Sequence, residues 1–193
     1  MTMTLRQAVC FVAALNLTYF GVELAVALEI GSVALVADSV DFLEDASVNL
    51  LIALALGWST KRRARVGMSL ACLLLVPGIA TVWMAWQKFH ALSAPEPQPL
   101  SLTAAGALLV NLSCAFVLAR HRVHPGSLVR AAFLSARNDV VANLATIVAA
   151  AFTFFWRSGW PDLIVGLAIA AMNADAAREV WLAAVAEHRS PAP

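Results

Sequence analysis

The chain has 193 residues, of which 61% are hydrophobic and only 13% are charged. Soluble globular proteins are about 45–50% apolar and about 25% charged, so this composition indicates a polytopic membrane protein and leaves little chain for a soluble domain. The formal net charge of +1 argues against nucleic acid as a partner, because nucleic-acid-binding domains are strongly basic.

Six apolar stretches can each cross a bilayer, which takes about 20 residues as a helix. The predicted spans cover residues 5–28, 31–56, 68–89, 102–118, 128–156 and 163–185. In the first span the apolar run starts after Arg6, as in a signal peptide, but Asn16 and Glu23 interrupt the run and it continues too long, so we interpret it as a retained span. The predicted fold class is therefore all-α, with a six-helix transmembrane domain over residues 1–188 and a polar tail over residues 189–193.

The segments between the spans predict the orientation of the chain. Basic residues follow the second and fourth spans, with Lys61, Arg62, Arg63 and Arg65 in one loop and Arg120, His121, Arg122 and His124 in the other. Because short basic loops stay in the cytoplasm, we expect both loops and both termini there, with the chain in the inner or plasma membrane. Between the third and fourth spans, Pro95, Pro97 and Pro99 predict a non-helical connector.

The second span carries four acidic residues near its middle: Asp38, Asp41, Glu44 and Asp45. One acid at mid-membrane costs roughly 2.5–3.5 kcal/mol on insertion scales, so four in one span require compensation. Helical spacing places Asp38, Asp41 and Asp45 on one face, and the last two, one turn apart, can reach the same point. This pattern predicts a cation site built from hard oxygen ligands.

The fifth span offers a second pair of ligands. Ser135 and Asp139 are one turn apart in the sequence SARNDVVAN. When the two spans pack together, Asp41, Asp45, Asp139 and Ser135 can surround one divalent ion. Three carboxylates around a dication leave about one excess negative charge, so we expect the empty site to take up a proton and the arriving metal to expel it.

Other polar residues in the spans have plainer explanations. We expect Asp38 to hydrogen-bond the backbone of a neighbouring helix, and Glu44 to pair with a basic residue such as Arg137. Glu23 either packs or forms an ion pair, or it lines an access path. Near the end of the sixth span, Asn173 and Asp175 are expected to be solvated. The widely separated cysteines, with no CxxC pair, are interpreted as small buried hydrophobic residues: Cys10, Cys72 and Cys114.

Residues 31–45, with the sequence GSVALVADSVDFLED, resemble the GSLALLADA stretch and the [HD]xxxD pair of the cation diffusion facilitator family of divalent metal/proton antiporters. The resemblance extends to Glu23 in the first span and to FLSARND at residues 133–139, which is similar to the family's HxxxD pair. Pro161 and Asp162 resemble the usual lead-in to the sixth span. The resemblance therefore covers nearly the whole chain.

The resemblance implies one transport site at mid-membrane. Asp41 and Asp45 occupy its two ligand positions in the second span, and Ser135 and Asp139 those in the fifth. Ser135 replaces the family's usual His, or the Asp of manganese-type members, so Asn138, Asn143 or water are alternatives as the fourth ligand. An all-oxygen site favours hard ions such as manganese, iron or magnesium over zinc, but the metal stays open among zinc, iron, manganese and cobalt.

Most members of this family carry a cytoplasmic metal-binding domain after the sixth span, whereas this chain resembles a short form without it. A homodimer, which the resemblance implies, would then rely on contacts between spans. The sequence thus predicts a transporter that exports a divalent cation in exchange for protons, with no resident cofactor and no enzymatic activity. Helices rocking around the site would supply alternating access, as the family implies.

Two other functions remain open on the sequence. The chain is either a transporter or a non-transporting scaffold or metal-sensing partner derived from the same fold, which binds metal but does not move it. A proton-coupled transporter of an organic cation is less favoured, because such a site calls for aromatic residues beside the acids. The two spans offer only Phe42 and Phe133.

Overall fold

The computed structural model describes residues 3–55, 58, 60–120 and 127–189. Over these ranges the chain forms six helices and no strand, as the sequence predicts. The helices are α1 (Leu5–Ile30), α2 (Val33–Ala55), α3 (Thr60–His90), α4 (Pro97–Ala119), α5 (Ser127–Phe155) and α6 (Trp160–Arg189).

The first two helices are separated by a turn with a clear sequence signal. At its start, α1 has a capping box in which the Thr4 side chain accepts from the backbone N–H of Gln7, and the Gln7 side chain accepts from the backbone of Thr4. At its end, Gly31 takes a left-handed conformation with φ of 65°, which a residue without a Cβ adopts at no steric cost. This turn lets α2 begin at Val33 and fold back along α1.

Two segments predicted as loops are helical instead. The basic cluster after the second span lies in the first turns of α3, which begins at Thr60, because Lys and Arg are good helix formers and their long side chains can stay in water. The proline-rich connector is also shorter than predicted. Pro97 is the first residue of α4, a position where the missing N–H of proline costs nothing.

The far ends of the chain also differ in part from the predictions. α6 continues to Arg189, past the predicted end of the sixth span at residue 185 and one residue into the predicted tail. Cys114 is buried as predicted, whereas Cys10 and Cys72 are exposed on the protein surface. Cysteine behaves as a small apolar side chain, which is stable both in a protein interior and on an apolar surface. The sequence alone therefore did not distinguish the buried cysteine from the exposed ones. Of the second basic loop, residues 121–126 lie outside the described residues.

The acidic helix α2 lies at the centre of the bundle, where it contacts α1, α3, α5 and α6. α4 packs against α1 and α5, and α6 packs against α3. Apolar side chains fill the two ends of the α1–α2–α4 contact. Val9, Ile52 and Leu118 belong to the cluster at one end, and Ala27, Leu35 and Leu100 to the cluster at the other. The buried polar residues of α2 lie between these two apolar layers.

The outer surface is rich in large apolar side chains, such as Phe155 at 80% exposure. Of the described helices, α1 and α4 are long and apolar enough to cross a membrane by length and composition, and Asp139–Phe155 is a shorter apolar segment of α5. α2 contains too many acids for such a criterion, although many of its side chains are buried. The buried acids of α2 are thus the reason why this helix does not meet a criterion based on hydropathy and charge.

Candidate metal site

The predicted ligands of α2 and α5 come together in the polar layer. Asp45 and Asp139 are buried, with 5% and 7% of their surface exposed, and their carboxyl groups lie within hydrogen-bond reach of each other. Asp41 is half-buried and interacts electrostatically with both Asp45 and Asp139. Three carboxyl groups from two helices therefore share one small region. Neither Asp41 nor Asp139 takes part in an ion pair among the described residues.

An asparagine follows each of the two buried acids by one turn. Asn49 donates its side-chain amide to the backbone carbonyl of Asp45 at 2.8 Å, and Asn143 does the same for Asp139 at 2.7 Å. In both residues the amide oxygen is buried and has no partner among the described residues. A buried oxygen without a donor is costly unless water or a cation approaches it. The structure thus places two such oxygens one turn from the acids.

Asn16 of α1 is a residue whose role the sequence analysis missed. Its amide nitrogen donates to the carboxylate of Asp45 at 3.4 Å, and its amide oxygen accepts from the thiol of Cys114 at 3.4 Å. A polar chain therefore runs from α4 through α1 to α2. The signal in the sequence was the presence of a polar residue within an otherwise apolar span.

The described residues contain no group of three Asp, Glu, His or Cys side chains already arranged to hold a metal ion. The side chains of Ser135, Arg137 and Asn138 lie outside the described residues, as do any contacts they make. The fourth ligand predicted at Ser135, and the predicted pairing of Glu44 with Arg137, are therefore not decided by the structure.

A second acidic pair lies beside the predicted ligands. Glu23 of α1 and Asp38 of α2 are both fully buried, and their carboxyl groups lie within hydrogen-bond reach of each other. None of their four oxygens receives a hydrogen bond from a described donor. The expectation that Asp38 bonds a neighbouring backbone is therefore wrong, because no N–H is left unpaired in the interior of the adjacent helices. Of the predicted roles of Glu23, the ion pair is absent from the described part of the chain.

A cavity of about 260 Å³ opens between α2, α3 and α6. Its walls include Glu44, Thr81 and Asn173 among mainly apolar residues. Asn173 was predicted to be solvated, but it is buried and donates to the backbone carbonyl of Ala37 at 3.0 Å, because α6 packs tightly against α2. Asp175 is solvated as predicted, in an exposed ion pair with Arg178.

A buried cluster of charges joins α2, α3 and α6 at the end of the bundle near Gly31. Asp162 accepts hydrogen bonds from the hydroxyl of Ser32, from the backbone N–H of Val33 at 2.9 Å and from Lys88 at 2.7 Å. Lys88 also donates to the carbonyl of Gly31 at 2.7 Å. The carboxylate therefore caps α2 from the first turn of α6, where the positive end of the α2 dipole favours an anion. The sequence analysis noted Asp162 only for its place before the sixth span and gave no reason to pair it with Lys88.

Helices with an apolar outer surface, two of them long and apolar enough to cross a membrane, enclose a layer of buried carboxylates, which is an arrangement suited to a membrane protein that handles cations. The transmembrane domain of cation efflux proteins matches residues 9–187, and the chain belongs to this family. The protein is therefore a cation transporter of the membrane, in a family of transporters rather than enzymes. No curated protein matches the chain closely.

Proposed function

We propose that the chain exports a divalent metal cation from the cytoplasm in exchange for protons. The ion binds Asp41, Asp45 and Asp139, and Ser135, a neighbouring asparagine or water completes its shell. The observation that carries this proposal is the interaction between Asp45 of α2 and Asp139 of α5. The two helices are far apart in the sequence and pack together in the structure. A buried pair of carboxylates at a helix interface is stabilised when a cation or a proton lies between them.

The exchange follows from the charge of this region. Two carboxyl groups within hydrogen-bond reach cannot both stay ionised in a buried site unless a cation or a proton lies between them. A dication that binds there expels the proton, and a proton that returns weakens the hold on the metal. Among the described residues the acids do not form a complete ligand set, and the proposal therefore includes an adjustment of α2 and α5 when the metal binds. Such an adjustment is the kind of helix movement that alternating access uses.

The ligand atoms favour a class of substrate, the divalent metal cations, and do not single out one metal. Carboxylate and amide oxygens suit hard divalent ions such as manganese and iron, whereas zinc and cobalt stay possible because availability and geometry override this preference. We further propose that both termini lie in the cytoplasm of the cell (inner) membrane, that the chain works as a homodimer in the bilayer, and that the metal is cargo with no separate resident cofactor.

Metal-driven proton movement in sealed proteoliposomes tests the proposal. Manganese, iron(II), cobalt, zinc and cadmium are added outside vesicles that hold an internal pH dye. Wild type is compared with Asp45→Asn and Asp139→Asn, which keep the shape of the side chain and remove its charge. Asp175→Asn is the matched control, because it removes an exposed acid of α6 whose described ion pair is with Arg178.

The proposal expects at least one metal to change the internal pH in wild type and in Asp175→Asn, and neither site variant to respond. Wild type that binds metal in calorimetry but moves no protons would favour the scaffold or metal-sensing alternative. Proton movement that survives both Asp45→Asn and Asp139→Asn would place the transport site elsewhere.

A further inference from the structure

The pair formed by Glu23 and Asp38 is separate from the predicted metal ligands and has no role in the proposed site. Glu23 comes from the middle of α1, and Asp38 lies three residues before Asp41 on α2. Both side chains have 0% of their surface exposed. No water or lipid can therefore solvate their charge in this conformation.

Two hydroxyl groups close to the pair along the chain already donate to other acceptors. The hydroxyl of Tyr19, one turn before Glu23, donates to the carbonyl of Thr103 at 2.7 Å. The hydroxyl of Ser39, next to Asp38, donates to the carbonyl of Val36 at 2.7 Å. All four carboxyl oxygens of the pair are left without a described donor, although the two groups lie within hydrogen-bond reach of each other.

The titratable groups that interact with the pair supply no positive charge. Asp41 on α2 and Asp139 on α5 are acids, and Tyr19 on α1 is neutral at physiological pH. No described Lys, Arg or His forms an ion pair with either residue. Two ionised carboxylates this close to each other, buried and near further acids, would be strongly destabilising. One proton between them supplies the missing donor and removes one of the two charges.

We propose that Glu23 and Asp38 form a proton-binding site, separate from the metal ligands, in which the two carboxyl groups share one proton. One group donates an O–H···O hydrogen bond and the other accepts it, so α1 and α2 are joined at the level of the polar layer. The ligand of this site is a proton and not a metal, because no third Asp, Glu, His or Cys among the described residues is placed to complete a metal shell with these two carboxylates. The inference does not depend on the proposed antiport.

Infrared spectroscopy of the metal-free protein at neutral pH tests the proposal directly. A protonated carboxyl group has a carbonyl stretch well separated from that of a carboxylate, and the stretch shifts in deuterium oxide. The variants are Glu23→Gln and Asp38→Asn, in which a side-chain amide supplies the donor that the proton otherwise provides, so that the remaining acid can ionise without loss of the fold. Glu29→Gln is the matched control, because Glu29 lies on α1 but is exposed.

We expect wild type and Glu29→Gln to show the same protonated-carboxyl band, and Glu23→Gln and Asp38→Asn each to lose an intensity of about one group. An unchanged band in both variants would show that neither member of the pair carries a proton, which overturns the proposal. Metal calorimetry supplies an independent readout. Affinity in Glu23→Gln within about threefold of wild type agrees with a separate proton site, whereas a loss as large as that of Asp45→Asn would make Glu23 a metal ligand.

The two proposals fail in different ways. A protein that moves no metal still gives the infrared result, because that measurement needs neither metal nor transport. A protein that transports metal but shows no band from this pair keeps its transport site and loses the proton site.

Discussion

The ammonium group of Lys88 lies 2.7 Å from the carboxylate of Asp162, and both side chains are almost completely buried. The pair connects the last turn of α3 to the first turn of α6, while Asp162 also accepts from the first backbone N–H groups of α2. Three helices are thus held together at one end by one carboxylate.

Replacing Asp162 should destabilise the bundle strongly. Asp162→Asn leaves the ammonium of Lys88 buried and uncompensated, a situation that costs about 3–5 kcal/mol in other buried pairs. Lys88→Met should cost less, because Asp162 keeps the hydroxyl of Ser32 and two backbone donors. The free energy of unfolding in detergent micelles measures both effects.

The exposed pair Asp175–Arg178 is the control for these variants, because exposed ion pairs contribute little. Asp175→Asn should leave the unfolding free energy nearly unchanged. A Lys88→Met variant less stable than Asp162→Asn would contradict the view that the cap on α2 holds Asp162 in place.

Asn16 should tune metal binding without being a ligand. It donates to the carboxylate of Asp45 and fixes its orientation, and loss of such an orienting bond typically costs 10–100-fold in metal affinity. We therefore expect Asn16→Leu to weaken binding by about 10-fold or more in calorimetry. Thr18→Ala is the control, because Thr18 is exposed and bonds only its own helix. Equal affinities for Asn16→Leu and wild type would show that Asp45 is oriented by other contacts.

The close approach of α6 to α2 depends on Gly166. A Cβ at this position would meet the backbone of Val33 and Ala34 at 2.7 Å, a distance that forces the two helices apart. Gly166→Ala should therefore reduce the unfolding free energy by about 1–3 kcal/mol. Gly21→Ala should cause no loss, since nothing lies within 4 Å of a Cβ there. Thermal unfolding of the two variants side by side separates crowding from the general effect of losing a glycine.

Metal affinity should rise with pH. Protons and metal compete for Asp45 and Asp139, so acid shifts the site toward its protonated form and alkali favours the metal. Calorimetry in buffers of different ionisation enthalpy should show at least one proton released per metal bound in wild type. Asp139→Asn should release fewer. An affinity independent of pH with no proton release would rule out competition at these carboxylates.

Local periodicity was enough to predict the helices and the arrangement of acids along α2. The spacing of Asp38, Asp41 and Asp45 fixes their common face, because a helix of 3.6 residues per turn forms from short-range hydrogen bonds alone. The membrane class followed from composition. The start of α3 and the first residue of α4 were missed, since basic residues and prolines are also compatible with the first turns of a helix.

The partner of each buried polar group was decided by the tertiary structure. Asn16 meets Asp45 across 29 positions of the chain, and Lys88 meets Asp162 across 74. Sequence spacing carries no information about such contacts, because they depend on which helix faces pack together and at what height. The sequence by itself determined that this protein has six helices and carboxylates inside a membrane. The packing of α1, α5 and α6 around α2 is what sets which carboxylate caps a helix, which accepts from an amide and which ones receive no hydrogen bond from a described donor.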